Sequence, residues 1–453
     1  MKIMKKVYLE TFGCQMNVSD SERVATTLAA AGFEMTADEG SADVVLFNTC
    51  SVREKAEHKL YTRVGQVRNS IGENGEIRAK PIVGILGCVA QLEGETLFKK
   101  ADGVDFVLGT QAVGRVARAI EDVENGKKQV ADLAAREENY DWMTSPAQRH
   151  SPYVAFLPII EGCNKFCTYC IVPFSRGRER SLPATEIVRQ ARVLREQGIR
   201  ELHLIGQNVN SYRPKTLEGL ENVPGATAFS KLLRAVAATG IERIKFTTSF
   251  PRDFHADIVE ALNEHENLCN WVHLPVQSGS NRILKAMRRG HTVESYLEKI
   301  DRIKNSPRRI ALSTDVIVGY PTETEADFAE TMRLFEYCQF DSAYMFKYSP
   351  RPGTPAAALT DDVSLAEKTE RFLRLEAIQK ASVRQSLEAM RGRTVGVLAE
   401  KKSARAKSEY SGHTACHKVV NFYSEKAENE VLGTIVPVTI TKTKSNTLYG
   451  EVC

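Results

Sequence analysis

Along most of the chain, short continuous apolar runs alternate with amphipathic, helix-like stretches. Residues 6–12, 42–48, 81–86 and 104–108 predict strands, and residues 21–31 and 54–69 predict helices between them. Runs apolar on both faces and separated by helices imply a parallel sheet covered on both sides. A charged, helix-rich stretch follows over residues 112–138, then a polar connection over 139–151, where the first domain boundary is expected.

The alternation then resumes with a longer count. Strands are predicted at 154–160, 201–205, 244–248, 271–274, 310–318 and 343–348, and helices at 184–197, 230–238, 256–263, 295–304 and 325–338. Six βα units fit a partial (β/α)6 barrel, whose chemistry belongs at the carboxyl ends of the strands. An amphipathic stretch over 365–390 leads into a tail with strands at 394–399, 417–422, 433–440 and 447–452, broken by Gly, Asn and charged loops. That spacing suggests a small five-stranded barrel of oligonucleotide-binding type. The expected fold is α/β in three domains: a parallel-sheet domain over 1–140, a partial barrel over 150–380 and a small β-barrel over 385–453.

Composition narrows the compartment and the partners. A length of 453 residues calls for two or three cores. With 42% apolar and 26% charged residues, and no apolar run near the ~20 residues needed to cross a bilayer, no membrane partner is expected. The basic start runs directly into a strand without the apolar segment of a signal peptide, so a cytoplasmic location is expected. There, ten cysteines read as thiols, metal ligands or catalytic groups rather than a disulfide framework. The formal charge of +4 lies in the tail, where residues 391–453 hold ten Lys or Arg against six Asp or Glu. Such a module points to a polyanionic partner such as nucleic acid.

The sharpest chemical signal is Cys163, Cys167 and Cys170, a C-x3-C-x2-C loop directly after an apolar strand. Three thiolates from one tight loop hold three irons of a cubane cluster and leave the fourth open, the mark of a catalytic metal site. A zinc loop is the plainer alternative, but it needs a fourth ligand, and no Cys or His follows within the next thirty residues. Cys14, Cys50 and Cys88 each follow a predicted strand of the first domain. In a parallel sheet, residues at strand ends share the edge where such sheets bind ligands, so these three can converge on a second cluster. One strand-end Cys is ordinarily a small buried apolar residue; three in succession are not.

The cysteine loop resembles that of radical S-adenosylmethionine enzymes. The whole chain is similar to the methylthiotransferase family, and within it to the branch acting on isopentenylated adenosine in tRNA. The matching segments are GCQMNVSDSE from Gly13, NTCSVREKAE from Asn48, CNKFCTYC from Cys163, HLPVQSGS from His273 and RPGTPAA from Arg351. The resemblance implies an N-terminal auxiliary-cluster domain, a radical domain and a C-terminal TRAM domain that binds RNA. It implies two 4Fe-4S clusters, an auxiliary one on Cys14, Cys50 and Cys88 that donates sulfur, and one on Cys163, Cys167 and Cys170 that cleaves S-adenosylmethionine to a 5′-deoxyadenosyl radical. Carbon two of adenine is an unactivated C–H that no acid or base in the sequence can replace with sulfur; a radical is required. The implied partners are a tRNA anticodon stem-loop and an electron donor such as flavodoxin or ferredoxin, with the enzyme a monomer.

Candidates for contact with S-adenosylmethionine lie at the expected strand ends: Tyr169 in the cluster loop, Gly206, Gln207, Asn208, Ser249, Gln277, Ser278, Asp315, Ile317 and Gly319. Each also has an ordinary explanation as turn or core chemistry. Arg176, Arg178 and Arg180 follow the cluster loop and, with Lys401, Lys402, Arg405, Lys407 and Lys418 of the tail, are candidates for RNA phosphates, against the plainer reading of solvated charge. Three places depart from the common family pattern: Leu182 where Arg is frequent, Phe250 where His is frequent, and the turn from Gly412 to His417. Cys269, Cys338, Cys416 and Cys453 share no spacing and read as core or surface thiols. The rivals are methylthiotransferases acting on threonylcarbamoyladenosine or on a ribosomal protein aspartate and, in a different class, a non-catalytic metal-containing RNA-binding protein.

Overall fold

The structure is a computed structural model that describes residues 4–51, 54–69, 80–134, 141–145, 149–403 and 408–453. The chain divides into two compact units. One comprises Met1–Ser151, Phe156–Asn164 and Ile171–Arg180; the other comprises Pro152–Ala155, Lys165–Cys170 and Ser181–Cys453. The first unit thus takes in two short segments on either side of the cysteine loop, beyond the boundary expected near residue 151. Among the described residues no helix is long and apolar enough to cross a membrane.

The first unit is built on β1 (Lys6–Phe12), β2 (Glu34–Met35), β3 (Val44–Thr49), β4 (Ile82–Gly87), β5 (Phe106–Leu108) and β6 (Val130–Asp132). They form one parallel sheet of order β2-β1-β3-β4-β5-β6. Strand β3 is buried throughout and feeds both faces. Val45 and Phe47 pack with Leu60, Val64 and Val67 on one side, and Val44 and Leu46 pack with Val24, Leu28 and Ile120 on the other. Helix α1 (Gln15–Ala30) begins six residues before the expected start. Its first turns carry Asn17, Ser19, Asp20 and Ser21, which read as loop yet are buried. The edge strand β6 lies inside the stretch expected to be helical, with only three residues to signal it.

The second unit contains the first two residues of β7 (Val154–Pro158), together with β8 (Glu201–Ile205), β9 (Arg243–Phe246), β10 (Trp271–His273), β11 (Ala311–Val318) and β12 (Ser342–Lys347). They form two three-stranded sheets, β9-β8-β7 and β10-β11-β12. Parallel contacts between Ile244 and Leu268 join the two into one arc. The helix Leu365–Glu388, capped by Ser364 and Glu367, buries Lys368 and Arg371 against the barrel through pairs with Asp361 at 2.6 Å and Glu323 at 3.2 Å.

The tail closes into a barrel of order β13-β14-β15-β17-β16, formed by β13 (Thr394–Lys402), β14 (Glu409–Thr414), β15 (Val419–Tyr423), β16 (Ile435–Thr443) and β17 (Leu448–Val452). Strand β14 is the one that the hydrophobic pattern does not reveal. Its sequence EYSGHT lacks alternation because Gly412 is pressed to within 1.8 Å, measured from an added Cβ, of the Leu398 carbonyl where β13 bulges.

Buried polar groups hold the barrel on the (β/α) arc. Arg243 donates to the carbonyls of His413 at 2.8 Å and Gly396 at 2.7 Å. His413 bridges two carboxylates, Nε2 to Glu201 at 2.9 Å and Nδ1 to Glu400 at 2.7 Å, while His203 also donates to Glu201 at 2.5 Å. Burial alone lowers the pKa of His413, but Glu201 and Glu400 outweigh it and hold the value at about 9. Burial drives the others down: Lys245 to about 8, His417 to about 2, and His203 also below its usual value. Lys245 lies 4.0 Å over the Trp271 ring, and His417 packs against both Trp271 and His413.

These shifts set a pH window. Above pH ~6.5 an unfolded histidine has lost its proton while folded His413 keeps it, so stability is lost as pH rises towards 9. The slope is on the order of 1.4 kcal/mol per pH unit. Lys245 works in the opposite direction above pH 8, and Cys14, lowered to about 6, does so from pH 6 upwards, so the His413 contribution over 6.5–8 is read as a difference between the protein and a variant lacking that imidazole. Thermal unfolding followed across that interval should show the midpoint advantage of the parent over His413→Gln shrinking as pH rises; parallel curves for the two proteins would contradict this account of the docking.

Candidate functional site

Parallel registers set Phe12 beside Thr49, and Thr49 beside Gly87. The next residues to leave the sheet are Gly13 with Cys14, Cys50, and Cys88, all on the carboxyl edge. Neighbours β1 and β3 flank the point where the strand order reverses, the place where open α/β sheets bind ligands. A Cβ at Gly13 would stand 2.7 Å from the Cβ of Cys50, and one at Gly87, whose φ is +90°, would stand 2.3 Å from the Asn48 amide oxygen. Glycine at these two positions lets the strand ends close up.

A polar network supports the thiols from below. The Asn17 amide oxygen accepts from the backbone N–H of Cys14 at 3.3 Å and from its thiol at 3.4 Å. Asn48 donates to the Asn17 carbonyl at 2.8 Å and to the Ser21 hydroxyl at 2.9 Å. Cys50 and Cys88 are buried and Cys14 is exposed. A hydrogen bond with Cys50 lowers the Cys14 pKa to about 6 and outweighs the partial desolvation of its sulfur, with Arg176 assisting. Burial raises that of Cys88, which Arg176 opposes as a charge and as a hydrogen-bond donor. Three thiols with a nearby cation, one of them tuned towards thiolate, form a donor set that fits iron or another thiophilic metal.

The C-x3-C-x2-C loop leaves the end of β7. Gly162, at φ +76°, has no room for a Cβ, which would stand 2.1 Å from the Arg178 carbonyl, and the N–H of Cys163 donates to Gly177 at 3.1 Å. Further along, Cys170 N–H donates to the Cys167 carbonyl at 2.9 Å. Thr168 is fixed by Tyr320 at 2.8 Å and by the Ala286 carbonyl at 3.0 Å. The sequence pattern did not mark Arg289. It is buried, donates to the Pro275 carbonyl at 2.7 Å and stands 3.5 Å from both the Cys167 sulfur and the Tyr169 hydroxyl. The face of Phe250, the residue that departs from the usual His, lies under Arg289, with ring centre to guanidinium 4.5 Å, and near Lys165 at 5.3 Å. Lys165 pairs with Asp253 at 2.7 Å.

Several candidate cofactor contacts come together around this loop. Tyr169 and Ile317 pack on one apolar cluster with Ile283, Met287 and Tyr320. Asp315 acts on Tyr169 electrostatically, and Gln277, at φ +79°, exchanges backbone hydrogen bonds with Asp315 and Ile317 at 2.9 and 3.0 Å. Gly206, Gln207 and Asn208 follow β8, and Ser249 follows β9 behind Thr248 at φ +68°. The buried Ser249 hydroxyl and Gln207 amide oxygen have no hydrogen-bond partner among the described residues, as expected of groups awaiting a polar ligand. Ser278 and Gly319 are accounted for otherwise. The Ser278 hydroxyl accepts from Ser280 within its own turn, and the stem of Lys368 fills the space beside Gly319.

The expected RNA contacts divide sharply. Arg178 and Lys401 are exposed, Arg180 pairs with Glu161 at 3.3 Å and Lys402 with Glu428 at 2.8 Å. Arg176 and Lys418 do not face solvent at all. Arg176 is paired with Asp20 at 2.6 Å and Lys418 with Asp341 at 2.8 Å, because a charge taken out of water needs a counter-charge. Arg405 and Lys407 lie outside the described residues. Leu182 is buried, and its carbonyl accepts from Tyr212 at 2.7 Å. Cys269 and Cys338 are buried, with burial raising both pKa values, and Cys416 and Cys453 sit in the terminal barrel.

Three family descriptions match the chain: uncharacterized protein family UPF0004 over residues 6–109, the radical SAM superfamily over 157–335 and the TRAM domain over 388–453. Among solved structures, the radical S-adenosylmethionine methyltransferase TsrM from Kitasatospora setae shares the fold at a TM-score of 0.56 and 14% identity, over 78% of this chain and 77% of that one. Among curated relatives, the tRNA-2-methylthio-N(6)-dimethylallyladenosine synthase of Solibacter usitatus is 43% identical over 451 residues, 99% of this chain and 98% of the relative. The enzyme of the same name from Coxiella burnetii is 42% identical over 453 residues, 99% of this chain and all of the relative. With this identity sustained from the cysteine-bearing sheet through the terminal barrel, the chain belongs to the tRNA-2-methylthio-N(6)-dimethylallyladenosine synthase family of radical SAM enzymes.

Proposed function

We propose that this protein is a tRNA methylthiotransferase that converts N6-isopentenyladenosine beside the anticodon to its 2-methylthio derivative. The observation that carries the reading is the full-length relationship to synthases of that name, in a chain with two separate cysteine triples. Membership of the radical SAM superfamily brings a 4Fe-4S cluster and S-adenosylmethionine. We assign that cluster to Cys163, Cys167 and Cys170, and a second, auxiliary cluster to Cys14, Cys50 and Cys88. When bound, the first supplies the electron that cleaves S-adenosylmethionine and the second supplies sulfur, with flavodoxin or ferredoxin as the external electron source.

Each part of the chain has a definite task in this scheme. Gly13 and Gly87 allow three thiols to meet at one sheet edge, and the Asn17–Asn48 pair fixes the turn that carries Cys14. Arg289 and Thr168 hold the second loop in shape, and Arg289 places a positive charge against Cys167. Tyr169, Gln277, Asp315 and Ile317 border one side of the S-adenosylmethionine position, and Gln207 and Ser249 offer it unpartnered polar atoms. The terminal barrel and exposed Arg178 contribute positive charge for RNA phosphates. An anticodon loop is single-stranded, so the target base can be splayed out without an unpairing cost.

Reconstituted under anaerobic conditions, the protein should bind roughly eight irons, two cubanes' worth. Replacing Cys14, Cys50 and Cys88 by Ala should halve the iron and stop methylthiolation while 5′-deoxyadenosine still forms. Replacing Cys163, Cys167 and Cys170 should halve the iron and abolish 5′-deoxyadenosine. Iron analysis that finds about four per chain, unchanged by the first triple substitution, would refute the two-cluster assignment.

The docked barrel makes truncation a poor test of RNA binding, because it would expose Glu201, Arg243 and Asp341. Charge neutralisation is cleaner: Lys401→Gln, Lys442→Gln and Lys444→Gln remove exposed cations of the barrel. For a single-stranded contact each phosphate contributes a slope of roughly 0.7 in log affinity against log salt. The triple variant should therefore bind tRNA with a salt dependence shallower by up to about 2, and an unchanged slope would remove the barrel from the interface.

Substrate choice tests the branch of the family. A five-carbon apolar group lost from a water-poor pocket costs about 0.8 kcal/mol per buried CH₂, several kcal/mol in all. Given tRNA carrying isopentenyladenosine, adenosine or threonylcarbamoyladenosine at the same site, the enzyme should make 2-methylthio product at least about a hundredfold faster from the first. A preference for the threonylcarbamoyl tRNA would place the chain in another branch.

A further inference from the structure

Arg176 lies six residues past the last cysteine of the C-x3-C-x2-C loop, at the end of the short helix Val172–Arg176, yet it belongs to the unit that holds the other three cysteines. Two bonds fasten its segment there. Thr110 donates to the Ser175 carbonyl at 2.8 Å, and Gln111 donates to the Arg176 carbonyl at 3.4 Å; both donors come from the loop after β5. Arg176 is 7% exposed, and its guanidinium is held 2.6 Å from the carboxylate of Asp20, a residue that is 4% exposed and lies six positions after Cys14 on α1. Its short helix packs against the helix Cys88–Glu93, and its charge acts on the thiols of Cys88 and Cys14.

A structural ion pair does not need this position. A buried pair between Arg and Asp is at best weakly stabilising compared with apolar residues of similar volume. Here the pair lies beside the cysteine triple, and the Arg176 charge favours the thiolates of Cys88 and Cys14. A cluster held by three thiolates and carrying a further sulfur ligand is net negative, and it becomes more so on reduction. Positive charge and hydrogen bonds to cysteine sulfur are among the main controls of cluster potential.

We propose that Arg176 is a positioning and tuning residue of the auxiliary site: clamped by Asp20 beside the helix that begins at Cys88, it raises the reduction potential of the cluster bound by Cys14, Cys50 and Cys88. The proposal rests on the two-cluster assignment above. It also gives the segment following one cysteine loop a direct role at the other cysteine triple.

The test uses the full-length chain with Cys163, Cys167 and Cys170 replaced by Ala, so that any cluster is the auxiliary one, and reads its midpoint potential by an EPR-monitored redox titration. In that background Arg176→Gln should move the midpoint to more negative values. Asp20→Asn, which removes the counter-charge and leaves the cation, should move it the other way, and Arg176→Lys should fall between Arg176→Gln and the parent. Opposite shifts at unchanged iron content are a signature that loosened packing does not produce. If Arg176→Gln fails to hold iron, Asp20→Asn and Arg176→Lys still decide the matter, since a midpoint that neither moves would overturn the proposal. Shifts of the same sign for Arg176→Gln and Asp20→Asn would overturn it as well. Absence of iron from the parent itself would instead remove the two-cluster assignment, and the proposal with it.

Discussion

Three adjacent parallel strands, β1, β3 and β4, end abreast of one another, and each is followed within two residues by a cysteine. This register is the constraint on which the first unit depends. A slip of one residue in any strand would turn its whole apolar set to the wrong face, so the two core layers that fix Val44 to Phe47 also fix where the thiols emerge. Convergence then needs clearance, which Gly13 and Gly87 provide, and a support that tolerates buried polarity, which Asn17, Asn48 and Ser21 provide by satisfying one another.

The same logic separates what was legible in the sequence from what was not. Strands β3, β4 and β7 carry short continuous apolar runs, and their positions follow directly from the pattern. The six cysteines were visible because thiols at strand ends and in a tight loop have few structural reasons to be there. Long-range polar pairing leaves no periodic trace. Arg176 and Lys418 look like solvated charge in the sequence, and only the fold shows Asp20 and Asp341 facing them across 156 and 77 residues of chain. Arg289 sits in a basic run that gives no hint of its approach to Cys167. The early start of α1 was hidden because its buried face is polar, and β14 was hidden because Gly412 interrupts its alternation where two backbones touch.

The polar seat of the terminal barrel has a comparable character. Glu201, Arg243, His413 and Glu400 form a charge-balanced set in which each buried group has a partner. Such a set contributes little net stability yet strongly penalises any other arrangement, since displacing one member strands a charge. The segment from Gly412 to His417, which departs from the usual family sequence, supplies two of the three histidines of this seat, His413 and His417. That departure therefore concerns how the barrel is held on its neighbour.

The central claim is that two sets of three thiols, built on different strand ends, are two separate iron sites. Crystals of the anaerobically reconstituted protein, measured on both sides of the iron absorption edge, test it most directly. The account predicts two compact anomalous peaks, one at the carboxyl edge shared by β1, β3 and β4 among Cys14, Cys50 and Cys88, and one within the loop from Cys163 to Cys170. A single peak at the loop, with Cys14, Cys50 and Cys88 present as free thiols in well-ordered density, would contradict it.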